Sequence, residues 1–151
     1  MDRISWDEYF YGIAHLIAQR SVCLRRKVGC IIVRNHQILC TGYNGPPRGF
    51  PHCTEERPCP GAGQPSGTGL ALCQAIHAEQ NAMLQCPDAD RIHTCYVTTA
   101  PCVTCVKLLL NTPCRKILFE ETYPHEEASR EMWLSADRHH DLARAWVQVG
   151  R

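Results

Sequence analysis

His77 and Glu79 stand two residues apart in "AIHAEQNA", and Cys102 and Cys105 stand three apart in "APCVTC". An imidazole and two thiolates are zinc ligands, and a nearby carboxylate is a proton carrier. Cysteines at i and i+3 at the start of a helix point the same way and can grip one ion. With His77 they make three protein ligands, which leave the fourth position for water, the mark of a catalytic rather than a structural zinc. Zinc lowers the pKa of such a water from about 15.7 toward 7, so hydroxide is available near neutral pH. Glu79 is then an acid beside the ion but not on it. Residues two apart on a helix do not share a face, so His77 and Glu79 must act from the start of a helix, leaning toward a point off its end. Helix N-termini favour thiolates and hydroxide through their free N–H groups and positive dipole ends. The opposing reading is a buried histidine, a solvated glutamate and two core cysteines; the combined pattern outweighs it.

The surrounding elements follow from periodicity. Ser5-Trp6-Asp7-Glu8 has the form of a capping box, and Trp6, Phe10, Ile13 and Ile17 make one apolar stripe on a helix over about 5–20. Strands are predicted at 28–34 and 37–42 around a turn at Asn35-His36, at 91–99 and 115–121, with a short last strand at 145–149. Helices are predicted after Glu79, over 102–111 with Pro113 as the stop, and over 126–138. Alternating strands and helices predict an α/β class: a three-layer α/β/α sandwich around a mixed, mainly five-stranded sheet. The 151 residues fit a single domain, 1–151.

Composition narrows the function. Apolar residues make up 44%, enough for a core, and the net charge of +1 offers no stripe for a nucleic-acid backbone. No apolar run is long enough to span a membrane, and the acidic "MDRISWDEYFYGIAHL" does not read as an export signal. Eleven cysteines, an odd number, fit reduced thiols in a cytoplasmic setting, some of them on metal. Residues 46–69 hold six of the ten prolines and five of the ten glycines. A loop of that length must be floppy or tied down, and Cys53 and Cys59 inside it predict a tie.

His-Ala-Glu followed by Pro-Cys-Val-Thr-Cys is identified as the signature of zinc-dependent nucleobase deaminases. "CLRRKVGCIIV", "TGYNGPPRGFPHC", "LCQAIHAEQNAM" and "YVTTAPCVTC" together resemble the deoxycytidylate (dCMP) deaminases of bacteria and their phages, over roughly residues 5 to 123. The resemblance implies a cytidine deaminase-like fold, a homo-hexamer and hydrolysis of dCMP to dUMP for thymidylate synthesis. Hydroxide would attack C4 of the cytosine while Glu79 moves protons to N3 and to the departing ammonia. It implies activation by dCTP and inhibition by dTTP, with Mg2+ on the effector, at the loop Gly42, Tyr43, Asn44, Gly45. By position, Asn44 should bond the sugar, with a turn residue as the plainer reading. Ala78, Thr99 and Ala100 should line the substrate, and Tyr123 should flank its phosphate, unless it is simply structural. Arg25, Arg26 and Lys27 are the one dense basic cluster, and a phosphate needs such a cation; an ordinary solvated patch is the alternative.

Cys23, Cys53, Cys59 and Cys73 come from three separate segments and could close a second, structural zinc site that pins 46–69. The resemblance supports Cys23, Cys53 and Cys73 and leaves the fourth ligand open between Cys59 and His52. Cys30, Cys40, Cys86, Cys95 and Cys114 read as core. His15, His36, His93, His125, His139 and His140 lack ligand partners at useful spacing. Other readings are a deaminase of dCTP or free deoxycytidine and, from another class, a zinc-stabilised module that binds nucleotides without catalysis.

Overall fold

The computed structural model describes residues 2–136 and 143–149. Helix α1 spans Trp6–Ala18 and opens with the predicted capping box: Glu8 N donates to Ser5 Oγ, and Ser5 N to Glu8 Oε2. Strands β1 (Gly29–Arg34) and β2 (Gln37–Tyr43) form a hairpin whose turn residues Asn35 and His36 both have positive φ, as a tight hairpin of this twist requires. After a long irregular segment come α2 (Ala78–Gln85), a 3-10 turn at Ala89–Arg91 and β3 (Thr94–Thr99). Helix α3 (Val103–Leu110), β4 (Lys116–Glu121), α4 (Glu126–Ser135) and β5 (Ala145–Gln148) complete the chain. The predicted helix end at 137–138, and His139 and His140, lie outside the described residues.

The sheet has the order β2-β1-β3-β4-β5, antiparallel on the β1 side and parallel between β3, β4 and β5. Side chains alternate across it. Ile31, Val33, Tyr96 and Leu118 meet α1 on one face. Cys30, Ile32, Cys95, Val97, Ile117 and Phe119 meet residues of α2, α3 and α4 on the other. The predicted three-layer α/β/α sandwich is therefore what the chain forms. Of the expected stripe on α1, Phe10 is buried, Ile13 and Ile17 pack against the core from its edge, and Trp6 is the exception. Phe10, Tyr11, Ala14 and Ala18 are buried, whereas Trp6 is 44% exposed and stacks on His36 at 4.2 Å. Ala14 and Ala18 take the points where α1 comes closest to β1. A Cβ on Gly29 would stand 2.0 Å from Ala14 O.

The same device acts on the opposite face. A Cβ on Gly42 would stand 2.3 Å from Ala78 O and 2.4 Å from Ala82 N, so only glycine lets the first turn of α2 rest on β2. Asn81 Nδ2 donates to Tyr43 O at 2.8 Å, and Gly45 and Ile76 exchange two backbone hydrogen bonds just before the helix. Gly42→Ala is expected to destabilise the fold by about 1–3 kcal/mol through overpacking. Gly12→Ala, in α1 with open space around the new methyl, is expected to be neutral or stabilising by up to about 1 kcal/mol. Urea unfolding of the two variants checks the contrast.

Candidate metal centre and substrate pocket

Each side of the centre is delivered by the start of a helix. His77 is the N-cap of α2, and its backbone N donates to Gln80 Oε1 at 2.8 Å. Cys102 is the N-cap of α3, reached directly from the end of β3 through Ala100-Pro101. Cys105 lies in the first turn of α3. Its spacing from Cys102 sets both sulfurs toward His77.

His77 Nδ1 lies 3.4 Å from Cys102 Sγ and 3.3 Å from Cys105 Sγ. These three are the one group of three or more His, Cys, Asp or Glu ligand atoms within 4.8 Å of one another among the described residues. Zinc with ordinary Zn–N and Zn–S distances in tetrahedral geometry needs N···S edges of about 3.5 Å, so the donor set fits the ion. The electrostatics fit as well. A hydrogen bond from Cys105 brings the Cys102 thiol down to about 4, and the same network, through Cys102, raises His77. Cys105, as the donor to Cys102, is held far above the ordinary thiol range.

Glu79 is 4% exposed. Burial raises its carboxyl to about 6, with His77 pulling the other way. An acid near the working pH can both take and return a proton, and this one faces the cleft that His77 and Cys102 also line.

The cleft gathers most of the predicted substrate residues: Arg25, Arg26, Asn44, Ala78, Thr99, Ala100 and Tyr123 all line it. Lys27 is exposed and does not. Several of these side chains also hold partners within the chain. Asn44 Oδ1 accepts from Val28 N at 2.9 Å and its Nδ2 donates to Arg26 O at 2.8 Å, so the amide braces the 26–28 backbone. Arg25 Nη1 donates to the carbonyls of Gln64, Pro65 and Thr68, which straps the proline- and glycine-rich loop across the pocket mouth. Arg26 gives one longer bond, to Thr122 O at 3.3 Å. Gly42 lies beneath α2, and Tyr43 sits under the Arg20 guanidinium at 5.9 Å. Ser66, Gly67 and Leu70 of the strap also line the cleft. Nothing in the sequence singled them out, because only the folded course of the loop brings them there.

Cys23, Cys53, Cys59 and Cys73 share a second, smaller cleft beside the first. Cys59 N donates to Cys53 Sγ at 3.2 Å, and Gly61 presses on Cys73, where a Cβ would stand 2.6 Å from Cys73 N. No three of these sulfurs stand within 4.8 Å of one another. His52 is exposed and does not line this cleft. Of the cysteines read as core, Cys30, Cys40, Cys95 and Cys114 are buried and Cys86 is half-buried. His15, His36, His93 and His125 are exposed. No described helix is long and apolar enough to cross a membrane.

Residues 4–121 match the family described as the cytidine and deoxycytidylate deaminase zinc-binding region. The chain belongs to that family. A deoxycytidylate deaminase of Mycobacterium phage D29 is 41% identical over 79% of this chain and 97% of its own length. The deoxycytidylate deaminase of Saccharomyces cerevisiae is 38% identical over 89% of this chain and 43% of its own length. The chain thus spans less than half of the yeast relative and nearly all of the phage one. In fold, it resembles the dCMP deaminase of cyanophage S-TIM5, a structure solved with dCMP and dUMP, at a TM-score of 0.72, covering 98% of this chain and 100% of that one at 24% identity.

Asn44→Ala leaves Val28 N and Arg26 O without their partners, at an expected cost of about 1–3 kcal/mol. A thermal unfolding midpoint lower by several degrees, with the zinc content of the protein unchanged, is the expected result.

Proposed function

We propose that the chain hydrolyses dCMP to dUMP and ammonia, supplying dUMP for thymidylate synthesis. The observation that carries this reading is a buried, non-ligand carboxyl, Glu79, facing the same cleft as a three-ligand metal set. A structural site has no use for such an acid; a hydrolytic one does. The phage and yeast relatives, both deoxycytidylate deaminases, support the choice of substrate.

His77, Cys102 and Cys105 would hold zinc, which when bound supplies a water activated for attack near neutral pH. The residues of the chain do the rest. Glu79 takes a proton from the attacking water and gives it to ring N3 as C4 becomes tetrahedral; it then takes the remaining proton of the new C4 hydroxyl and delivers it to the amine as the C4–N4 bond breaks, leaving the C4 oxo group and ammonia. Burial keeps that carboxyl near 6, so it cycles between its forms without a large penalty in either direction. Ala78 and Ala100 form small apolar walls for the ring. Arg26, with one weak internal partner, is the phosphate cation; Arg25 positions the strap and adds its charge, Lys27 contributes from the rim, and Tyr123 flanks the phosphate. Asn44 reaches the sugar only with what its backbone bonds leave free.

The second cysteine set is read as a structural zinc on Cys23, Cys53, Cys59 and Cys73. Their common cleft supports it, and the exposure of His52 favours Cys59 as the fourth ligand. The family resemblance alone supports a cytoplasmic homo-hexamer with dCTP as activator, dTTP as inhibitor and Mg2+ on the effector at Gly42–Gly45.

Wild-type protein should release ammonia from dCMP faster than from dCTP or deoxycytidine, and Glu79→Gln should keep its zinc and lose at least about a thousandfold in turnover. Arg26→Ala should erase the preference for dCMP over deoxycytidine; equal loss on both would remove Arg26 from the phosphate. Metal analysis should find two zinc ions per chain in the wild type and one in Cys73→Ser.

A further inference from the structure

Strand β3 carries three threonines, Thr94, Thr98 and Thr99. Thr94 Oγ1 pairs with His93 Nδ1 at 2.8 Å, and Thr98 Oγ1 accepts from Gly29 N at 3.2 Å. Thr99 Oγ1 is buried with no partner, and the residue is only 4% exposed. An orphaned buried hydroxyl is destabilising, and a chain tolerates it where a ligand completes the bond.

The location says which ligand atoms are in reach. Thr99 follows Cys95 and Val97 in the row of β3 side chains on the α2/α3 face. It lines the substrate cleft, whose walls carry both apolar residues such as Val28, Ala78 and Ala100 and polar ones such as Asn44, Glu79 and Tyr123, none of which bonds its hydroxyl, and it lies three residues before Cys102. Chemistry at C4 requires the pyrimidine to lie against the metal set, so this wall meets the ring, while the arginines take the far end of the nucleotide. Glu79 serves N3 and the departing amine.

Resting on the deaminase reading above, we propose that Thr99 is a specificity-determining contact whose hydroxyl hydrogen-bonds the polar edge of the pyrimidine in substrate and product alike. A hydroxyl both donates and accepts and rotates to suit, so one group serves a ring that exchanges an amino group for an oxo group.

The test compares Thr99→Val, which keeps the shape, with Thr99→Ser, which keeps the hydroxyl. Thr99→Val should raise the KM for dCMP and the inhibition constant of dUMP together, each about tenfold, with kcat within about threefold. Its zinc content should be unchanged and its unfolding midpoint equal or higher, since an orphan has been removed. Thr99→Ser should stay near wild type. Thr99→Ala gives the same readout should the valine variant fold poorly. Wild-type constants in both Thr99→Val and Thr99→Ala, or a loss confined to kcat, overturn the assignment while leaving the deaminase reading intact. A wild-type chain that neither turns over dCMP nor binds dUMP overturns both.

Discussion

One nitrogen and two sulfurs, with N···S edges of 3.3 and 3.4 Å, are the meeting point on which the rest of the molecule depends. They come from two helix starts that are distant in sequence. The close approach of α2 to β2 makes the meeting possible. Gly42 has no side chain, so Ala78 and Ala82 rest on the strand backbone, and Glu79, between them, goes into the interior rather than to solvent. A carboxyl so placed loses hydration, which favours its neutral form, while the charge of His77 and the hydrogen-bonding groups around it offset part of that cost. The balance is a carboxyl that holds its proton more tightly than an ordinary one and still releases it near neutral pH.

The cysteines show how environment divides one residue type among several tasks. The Cys102 thiol, at a helix N-cap with the Cys105 donor and the His77 imidazole beside it, is brought down to about 4. Cys40 and Cys114 are pushed far up by burial and remain neutral. Cys30 and Cys95, on neighbouring strands with sulfurs 3.6 Å apart, are both raised and behave as small apolar groups.

Much of this was legible in the sequence where the signal is local. The Ser5–Glu8 cap, the Asn35-His36 turn and the ligand pair Cys102 and Cys105 each depend on a few adjacent residues. Of the α1 stripe, Phe10 is buried and Ile13 and Ile17 pack against the same core, while Trp6 at the open end of the helix is exposed; the sequence pattern alone does not show that Ala14 and Ala18 take the closest approach to Gly29. That Asn44 also braces the 26–28 backbone across the β1–β2 hairpin, and Arg25 the loop carbonyls up to Thr68, is not legible in sequence, because those partners are set by the fold. The Thr99 hydroxyl gave no sign of its isolation, since a missing partner is a property of the whole fold.

The most direct measurement is a crystal structure of the protein purified with zinc, using the anomalous signal of the metal. The account predicts a peak bound by His77 Nδ1, Cys102 Sγ and Cys105 Sγ, a non-protein oxygen as the fourth ligand, and the Glu79 carboxyl within hydrogen-bonding reach of that oxygen. A fourth ligand from a protein side chain, Glu79 bound directly to the ion, or no peak at these three residues would contradict it.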